Sequence, residues 1–224
     1  MTPAIAPAGD QAFTVSFGGG VDPEVSARVL SAAERLCVTP LPGVVDVVPG
    51  YDSLLVAYDP LRVAAAKVRD WIARSIDGPA PPLSGRRVEL PVLYHPEVAP
   101  DLEALAAEKN LTVEALIALH TAPEYRCYLL GFRPGFPFLG GLDQRLVSAR
   151  LPSPRLRVPA GSVGIGGRQT GVYPVDSPGG WRLIGRTPAR LFDPGRAEPF
   201  LVRAGDTVRF VAIDRAEFDG RAGA

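Results

Sequence analysis

The N-terminal third of the chain changes its hydrophobic period several times. Phe13, Val15 and Phe17 occupy alternate positions, which predicts a half-buried strand. Asp22-Pro23 then combines a helix-capping residue with a proline at the first helical position, and an apolar stripe follows at helical spacing. In order, the pattern predicts a loose Pro/Ala leader, a strand over 13–17, a helix over 22–36, strands over 44–48 and 54–58 paired through a turn centred on Pro49-Gly50, and a helix over 59–76.

This order of strand, helix, strand, strand and helix predicts a small ferredoxin-like α/β N-terminal domain whose last strand is unassigned. Residues 77–85 are rich in proline and glycine, a composition typical of a linker. We therefore expect the N-terminal domain to occupy residues 1–85, with the linker at 77–85.

The pattern of residues 86–224 is different. Apolar and polar residues alternate again over 86–94, as in a strand, and two short helices are predicted over 100–109 and 113–120. From Tyr125 onward, short β-like runs are separated by glycine and proline, a spacing typical of a β-barrel. The predicted fold class is therefore α+β, with the small α/β domain followed by a β-barrel domain.

Charge and composition exclude several classes of protein. The 24 basic residues balance 24 acidic ones, so no net field draws the chain to nucleic acid or to a membrane surface. No apolar run approaches the roughly 20 residues of a membrane helix, and the N-terminus lacks the pattern of a secretory signal. We expect a cytoplasmic protein with no nucleic-acid or membrane partner, in which Cys37 and Cys127 are buried and reduced.

Positive charge concentrates in one stretch, residues 126–196, which holds 11 Arg against 3 Asp and is also rich in glycine and proline. Arginine suits the bidentate binding of carboxylate or phosphate. A GC-rich genome would produce the same preference for arginine. The stretch is therefore a candidate anion-binding region, and the compositional explanation stays open.

Three glycine-rich segments are candidate binding loops. Residues 159–171 match neither a phosphate-binding loop nor a dinucleotide-binding loop nor a nucleophile elbow, so a series of tight turns in a barrel is the alternative. Residues 131–141 place Phe132, Phe136 and Phe138 among fixed turns, either as core residues or as the rim of an anion site with Arg133. Residues 176–188 add polar side chains, with no acid–base pair by spacing.

The two histidines have different settings in the sequence. His120 falls on the apolar stripe of its helix, which favours core packing near the helix C-terminus, whereas His95 lies in a loop before a proline. With so few candidate ligands and no cluster of carboxylates, no metal site is expected.

Several motifs carry a resemblance over the whole chain: GFRPGFPFLGGLD at 131–143, the run from 154 to 188, LFDP at 191–194 and GD-x-VRF at 205–210. They resemble the allophanate hydrolase subunit 1 family, which includes 5-oxoprolinase B subunits (PxpB), the kinase inhibitor KipI and part of urea amidolyase. The resemblance implies an α/β N-terminal domain and a cyclophilin-like β-barrel. It also implies an ATP-dependent amide hydrolase, inactive alone, that opens the lactam of 5-oxoproline with a PxpC-type sister subunit and a PxpA-type third component.

Residues of the motifs carry over as an implied site. ATP would be a substrate of the complex. The implied catalytic residues are His120, Gln169, Ser177, Arg186 and Thr187; the implied substrate-binding residues are Tyr128, Arg133, Gly135, Phe136, Gly161, Ser162, Gly164, Thr170, Gly179 and Gly180. Two alternatives stay open: a KipI-like inhibitor that docks on a histidine kinase, and a subunit of a biotin-dependent urea or allophanate carboxyltransferase.

Overall fold

The structure is a computed structural model that describes residues 2–78 and 85–222. Its contacts divide the chain into two compact units, Met1–Ser84 and Gly85–Ala224. Each unit has its own hydrophobic core.

The first unit is an antiparallel sheet with two helices. Its elements are β1 (Ala4–Pro7), β2 (Ala12–Ser16), α1 (Pro23–Val38), β3 (Val44–Pro49), β4 (Ser53–Tyr58) and α2 (Ala65–Ser75). The strands are ordered β1-β2-β4-β3 in the sheet. The predicted cap of α1 is present, since the Asp22 carboxylate accepts the amides of Glu24 and Val25. Alternate residues of β2 and β4 and the apolar stripes of both helices form the core.

Three details of this unit differ from the sequence-based expectation. The segment expected as a loose leader is β1, which pairs with β2 through Ile5 and Val15. The hairpin turn closes through the Gly50 amide and the Ser53 carbonyl, so Pro49 ends β3 and is not a central turn residue. Leu61 precedes α2 and is 95% exposed, because the Asp59 carboxylate and carbonyl hold this stretch in a turn before the helix begins.

The strand next to β2 at the edge of the sheet is not the one that a ferredoxin-like domain has. In a complete β-α-β-β-α-β unit, the strand that follows α2 would occupy this position. Here the position is occupied by β1, which precedes β2 in the sequence. The ferredoxin-like description is therefore not confirmed.

The second unit is built on a seven-stranded, nearly closed sheet, which confirms the predicted barrel and the mixed α/β class. Its elements are β5 (Arg87–Val92), α3 (Leu102–Glu108), α4 (Val113–Thr121), β6 (Tyr125–Leu130), β7 (Pro137–Gly140), β8 (Arg155–Val158), β9 (Ser162–Gly166), β10 (Gln169–Val172), β11 (Ser177–Gly179), β12 (Arg182–Arg186), β13 (Thr207–Ala212) and α5 (Arg215–Ala222). The sheet order is β12-β9-β10-β7-β6-β13-β5. Two backbone hydrogen bonds between Leu93 and Arg186, of 2.8 and 3.0 Å, bring its two ends together.

The two faces of this sheet have different coverings. Val163, Ile165 and Val172 point into the barrel, where residues of α3 and α4 complete the core. The opposite face of β9 and β10 is covered by a separate aromatic cluster and by the ribbon of β8 and β11. Some of the implied site residues, Phe136, Gly179 and Gly180 among them, lie at this covered outer face.

Two further expectations concern the burial of the cysteines and the presence of a membrane helix. Cys127 is buried in the barrel as expected, but Cys37 near the end of α1 is exposed. Within residues 2–78 and 85–222, no helix has both the length and the apolar character needed to cross a membrane.

Candidate functional site

An aromatic pocket of about 180 Å³ opens on the outer face of the barrel. Its floor consists of Phe136, Tyr173 and Trp181, whose rings meet edge to face at centroid distances of 5.1 and 5.3 Å from Phe136. Such perpendicular contacts are the favoured packing of aromatic pairs. The remaining lining residues are Phe132, Phe138, Arg150, Leu151, Pro154, Gly179 and Gly180.

Glycines in the strands make room for these rings. A Cβ atom at Gly166 would lie 2.5 Å from the Trp181 indole, and one at Gly171 would lie 3.0 Å from the Phe136 ring. A Cβ atom at Gly179 would lie 2.4 Å from the Tyr173 hydroxyl. The glycines are therefore required where the rings lie flat against the sheet.

The mouth of the pocket carries a strained aromatic residue and two cations. Phe132 has a φ of +63° and is 58% exposed, an unusual state for a bulky residue. The Arg133 amide donates to the Gly131 carbonyl at 2.6 Å, which closes a three-residue turn centred on Phe132. The predicted Pro134-Gly135 turn follows directly, with Gly135 at a φ of +84° and the Phe136 amide donating to the Arg133 carbonyl. The guanidinium of Arg133 lies 5.7 Å from the Phe132 ring centroid, and that of Arg150 lies 5.8 Å from the Trp181 centroid.

A second depression, which we call the basic groove, has a volume of about 620 Å³. Gly161, Arg186, Thr187 and Arg190 are among its lining residues. The Arg186 Nε donates to the Ala160 carbonyl at 2.9 Å, and its two terminal nitrogens have no hydrogen-bond partner among the described residues. This arrangement holds the side chain in place and leaves two donors for an anion.

The backbone beside the groove is tightly fixed. Gly161 has a φ of +82°, and a Cβ atom there would lie 2.3 Å from the Thr187 carbonyl. The Asp176 carboxylate accepts the Ala160 amide at 2.8 Å and pairs with Arg157. These two donors, with a smaller contribution from the nearby Arg186, lower the pKa of Asp176 below its usual range.

Two buried serine hydroxyls lie close to this backbone. Ser162 is opposite Arg186 in the ladder of β9 and β12, and Ser177 begins β11. Both oxygens are buried, and neither has a hydrogen-bond partner among the described residues. Neither serine lines either depression, so both hydroxyls are buried polar groups with their hydrogen-bonding capacity unused among the described residues.

His120 lies away from both depressions, inside the barrel. Its Nδ1 is 2.8 Å from the Tyr94 hydroxyl and its Nε2 is 2.9 Å from the Thr170 hydroxyl, which itself donates to the Gly164 carbonyl. Since the Thr170 proton points to that carbonyl, Nε2 carries the imidazole proton and Nδ1 accepts from Tyr94. Burial lowers the pKa of His120 to about 3, and Phe210 stacks on its ring.

The implied site residues therefore fall into separate groups. The aromatic pocket is lined by Phe136, Gly179 and Gly180, with Arg133 at its mouth. The basic groove is lined by Gly161, Arg186 and Thr187, with Ser162 and Ser177 close to its backbone. A third group lies inside the barrel, where a chain of hydrogen bonds connects His120, Thr170 and the Gly164 carbonyl. The three implied residues that remain belong to none of these groups. Tyr128 packs over Gly140, Gly135 lies in a turn against Phe192, and Gln169 begins β10 opposite Gly166.

The sequence-based set lacks several residues of these sites, among them Tyr94, Arg150, Tyr173 and Trp181. Tyr173 follows the glycine-rich segment, so its position next to that motif is a signal in the sequence. Tyr94 and Arg150 lie in loops, close to the isolated bridges Leu93–Arg186 and Ser148–Gly167, and nothing local in the sequence marks them. Among the described residues, no group of three or more His, Cys, Asp or Glu side chains is placed to hold a metal ion.

Comparison with known proteins identifies the family. The sequence profile described as "Carboxyltransferase domain, subdomain C and D" matches residues 3–202. The chain belongs to this family. The B subunit of 5-oxoprolinase from Bacillus subtilis (strain 168) is 41% identical over 227 residues, covering 94% of this chain and 92% of that protein. The protein of the same name from Escherichia coli O157:H7 is 44% identical over 185 residues, covering 82% and 84%.

A similar solved structure extends the comparison to the fold. TTHA0988 superposes with a TM-score of 0.83 at 43% identity over 91% of this chain. The match covers only 40% of the length of TTHA0988. The fold of this chain thus also occurs within a longer protein.

Proposed function

We propose that this carboxyltransferase-domain chain is a subunit of an ATP-dependent 5-oxoprolinase. The observation that carries the proposal is the nearly full-length identity of 41% to a protein named as the B subunit of 5-oxoprolinase. In the proposed reaction, 5-oxoproline, ATP and water yield glutamate, ADP and phosphate. ATP phosphorylates the lactam oxygen and ADP leaves; one water adds to the activated carbon, and the C–N bond breaks to give the acyl phosphate of glutamate. A second water hydrolyses this acyl phosphate to glutamate and phosphate.

The two depressions support a subunit that is incomplete alone. Among the described residues, no acidic, histidine or cysteine side chain lines the aromatic pocket. The described lining of the basic groove consists of arginines, Thr187, backbone and apolar side chains and contains no general base. The fully buried His120 is not accessible to a substrate. A PxpC-type sister subunit and a PxpA-type component would supply the missing acid–base groups, and Arg186 would hold a phosphate or carboxylate.

The proposal is tested by reconstitution. The chain is co-purified with the products of the neighbouring genes, and glutamate and ADP are measured after addition of 5-oxoproline and ATP. We expect equal amounts of both from the complete set and none from this chain alone. A complete set that forms no glutamate would disprove the proposal.

A carboxyltransferase role is the second candidate, because the matching family is described as a carboxyltransferase domain. It predicts transfer of a carboxyl group from a biotin carrier, which the same complex would perform without 5-oxoproline. The KipI-like role has less support. This role would use the phenylalanines of residues 131–141 as anchors on a histidine kinase, but Phe136 is only 1% exposed, and Phe132 alone of the three is largely exposed, at 58%.

A further inference from the structure

Arg133 and Arg150 differ from most arginines of the second unit. Eleven others there form ion pairs with carboxylates: Arg86, Arg87, Arg145, Arg155, Arg157, Arg182, Arg190, Arg196, Arg203, Arg215 and Arg221. Arg133 and Arg150 have no carboxylate partner among the described residues, and each lies over a ring of the aromatic pocket. An aromatic face orients a guanidinium without neutralising its charge, so both remain available to an anion.

Phe132 adds a second, independent observation at the same mouth. Its left-handed backbone costs free energy that glycine would not cost, and most of its ring is in water. Its ring meets Phe136 and Tyr173 edge to face at 5.6 and 6.2 Å. A residue that is both strained and exposed contributes little to stability, and here it forms one wall of the pocket.

The pocket selects a ligand by size and polarity. A volume of about 180 Å³ between aromatic walls accepts one small ring, and the charge at the mouth complements one carboxylate. We infer that the aromatic pocket binds a small ring carboxylic acid, with its ring against Phe136, Tyr173 and Trp181 and its carboxylate at Arg150 and Arg133. The choice of 5-oxoproline as the ligand rests on the proposed function.

The binding test uses the full chain and the fluorescence of Trp181. The sequence has two tryptophans, and Trp71 belongs to the core of the first unit, so Trp71→Phe leaves Trp181 as the only reporter. The probes are 5-oxoproline, 2-pyrrolidinone, which has the ring without the carboxylate, and acetate, which has the carboxylate without the ring. We expect 5-oxoproline to bind at least about tenfold more tightly than either fragment.

The arginine variants test the position of the carboxylate. Arg150→Ala should abolish the preference for 5-oxoproline over 2-pyrrolidinone and leave the affinity for 2-pyrrolidinone unchanged. Arg209→Ala is the matched control, because Arg209 is also exposed and has no ion pair among the described residues but lies on β13. If the preference survives in Arg150→Ala, or if 5-oxoproline causes no change at Trp181 into the millimolar range, the inference is wrong.

A glycine variant separates binding from stability. Phe132→Gly should leave the melting temperature equal or higher and weaken the binding of 5-oxoproline about tenfold, since the strain and the wall are removed together. Asn110→Gly relieves the second positive φ that the described part of the chain has at a non-glycine residue, +55°, and should not change binding. Unchanged affinity in Phe132→Gly would contradict its role as a wall of the pocket.

The assembled complex distinguishes this inference from the proposed function. If the complex forms glutamate but Arg150→Ala leaves KM and kcat unchanged, the pocket assignment is wrong and the proposed function holds. If the chain binds 5-oxoproline at Trp181 but the complete complex forms no glutamate, the proposed function is wrong and the pocket assignment holds.

Discussion

His120 shows what a single buried residue contributes to this barrel. Its ring accepts from Tyr94, donates to Thr170 and stacks on Phe210, so the neutral form is fully satisfied without solvent. Protonation would place a charge in the core, which is why burial lowers its pKa to about 3 from 6.5. The sequence predicted the buried position from the helical stripe, but not the two hydroxyl partners that fix the tautomer.

This depressed pKa has a measurable consequence for stability. Between pH 6.5 and about 3 the unfolded chain binds a proton at this histidine and the folded chain does not. The free energy of unfolding should therefore fall as the pH falls, by up to about 1.4 kcal/mol per pH unit from this group. Denaturant unfolding between pH 6.5 and 5 should show this slope, where carboxylates contribute least.

The matched variants for that slope are His120→Gln and His95→Gln. His120→Gln should be less stable at every pH but should have a flatter slope. His95→Gln changes an exposed ring and should keep the slope of the natural sequence. Equal slopes in all three proteins would contradict the assignment to His120.

Arg186 is the residue on which the basic groove depends. Arg186→Ala should raise the activation free energy of the assembled complex by about 2 to 5 kcal/mol, because an anion at a desolvated site loses its donor. Arg74→Ala, in the first unit, should change it by less than about 0.5 kcal/mol. Steady-state rates measure the activity of both variants, and melting temperatures show whether they fold. If both variants are equally active and both are folded, the basic groove has only a structural role.

At the scale of elements, rings packed on glycines hold the outer face together. Gly166→Ala should lower the free energy of unfolding by about 1 to 3 kcal/mol, because the new methyl group overlaps the Trp181 indole. Gly180→Ala is the control: its nearest neighbours would be 3.7 Å away, and its φ is not in the left-handed region. Chemical denaturation of both variants tests this, and equal stability would show that Trp181 moves aside at little cost.

The elements themselves could largely be predicted from the sequence, and the site could not. Periodicity and caps locate α1, α4, the β3–β4 pair and the Pro134-Gly135 turn because their signals are local. Strand β1 is too short and too rich in alanine and proline to show a period; only pairing with β2 makes it a strand. Arg150 lies in the loop after the isolated bridge of Ser148 with Gly167, and Trp181 lies between β11 and β12. No local signal in the sequence encodes the pairing that brings these two loops together, so their shared pocket could not be predicted.

At the scale of the whole molecule, each unit buries its own apolar residues. The core of the second unit draws on its strands and on α3 and α4, and the core of the first unit draws on its sheet and both helices. We propose that the boundary at 85–86 separates two independently stable domains. Residues 86–224 expressed alone should unfold cooperatively on heating and keep the near-ultraviolet dichroism of Trp181. A fragment that lacks both would contradict the proposed boundary.

The parallel pairing of β5 with β13 sets the timing of folding. Arg87, at the start of the second unit, pairs with Thr207, which leaves the ribosome 120 residues later. Throughout that interval one edge of β5 lacks its neighbour, while the first unit already has all of its strands. Non-local closure of this kind is slow, and an open strand edge invites association with other chains. Newly made protein should therefore depend on chaperones mainly during the synthesis of its second unit.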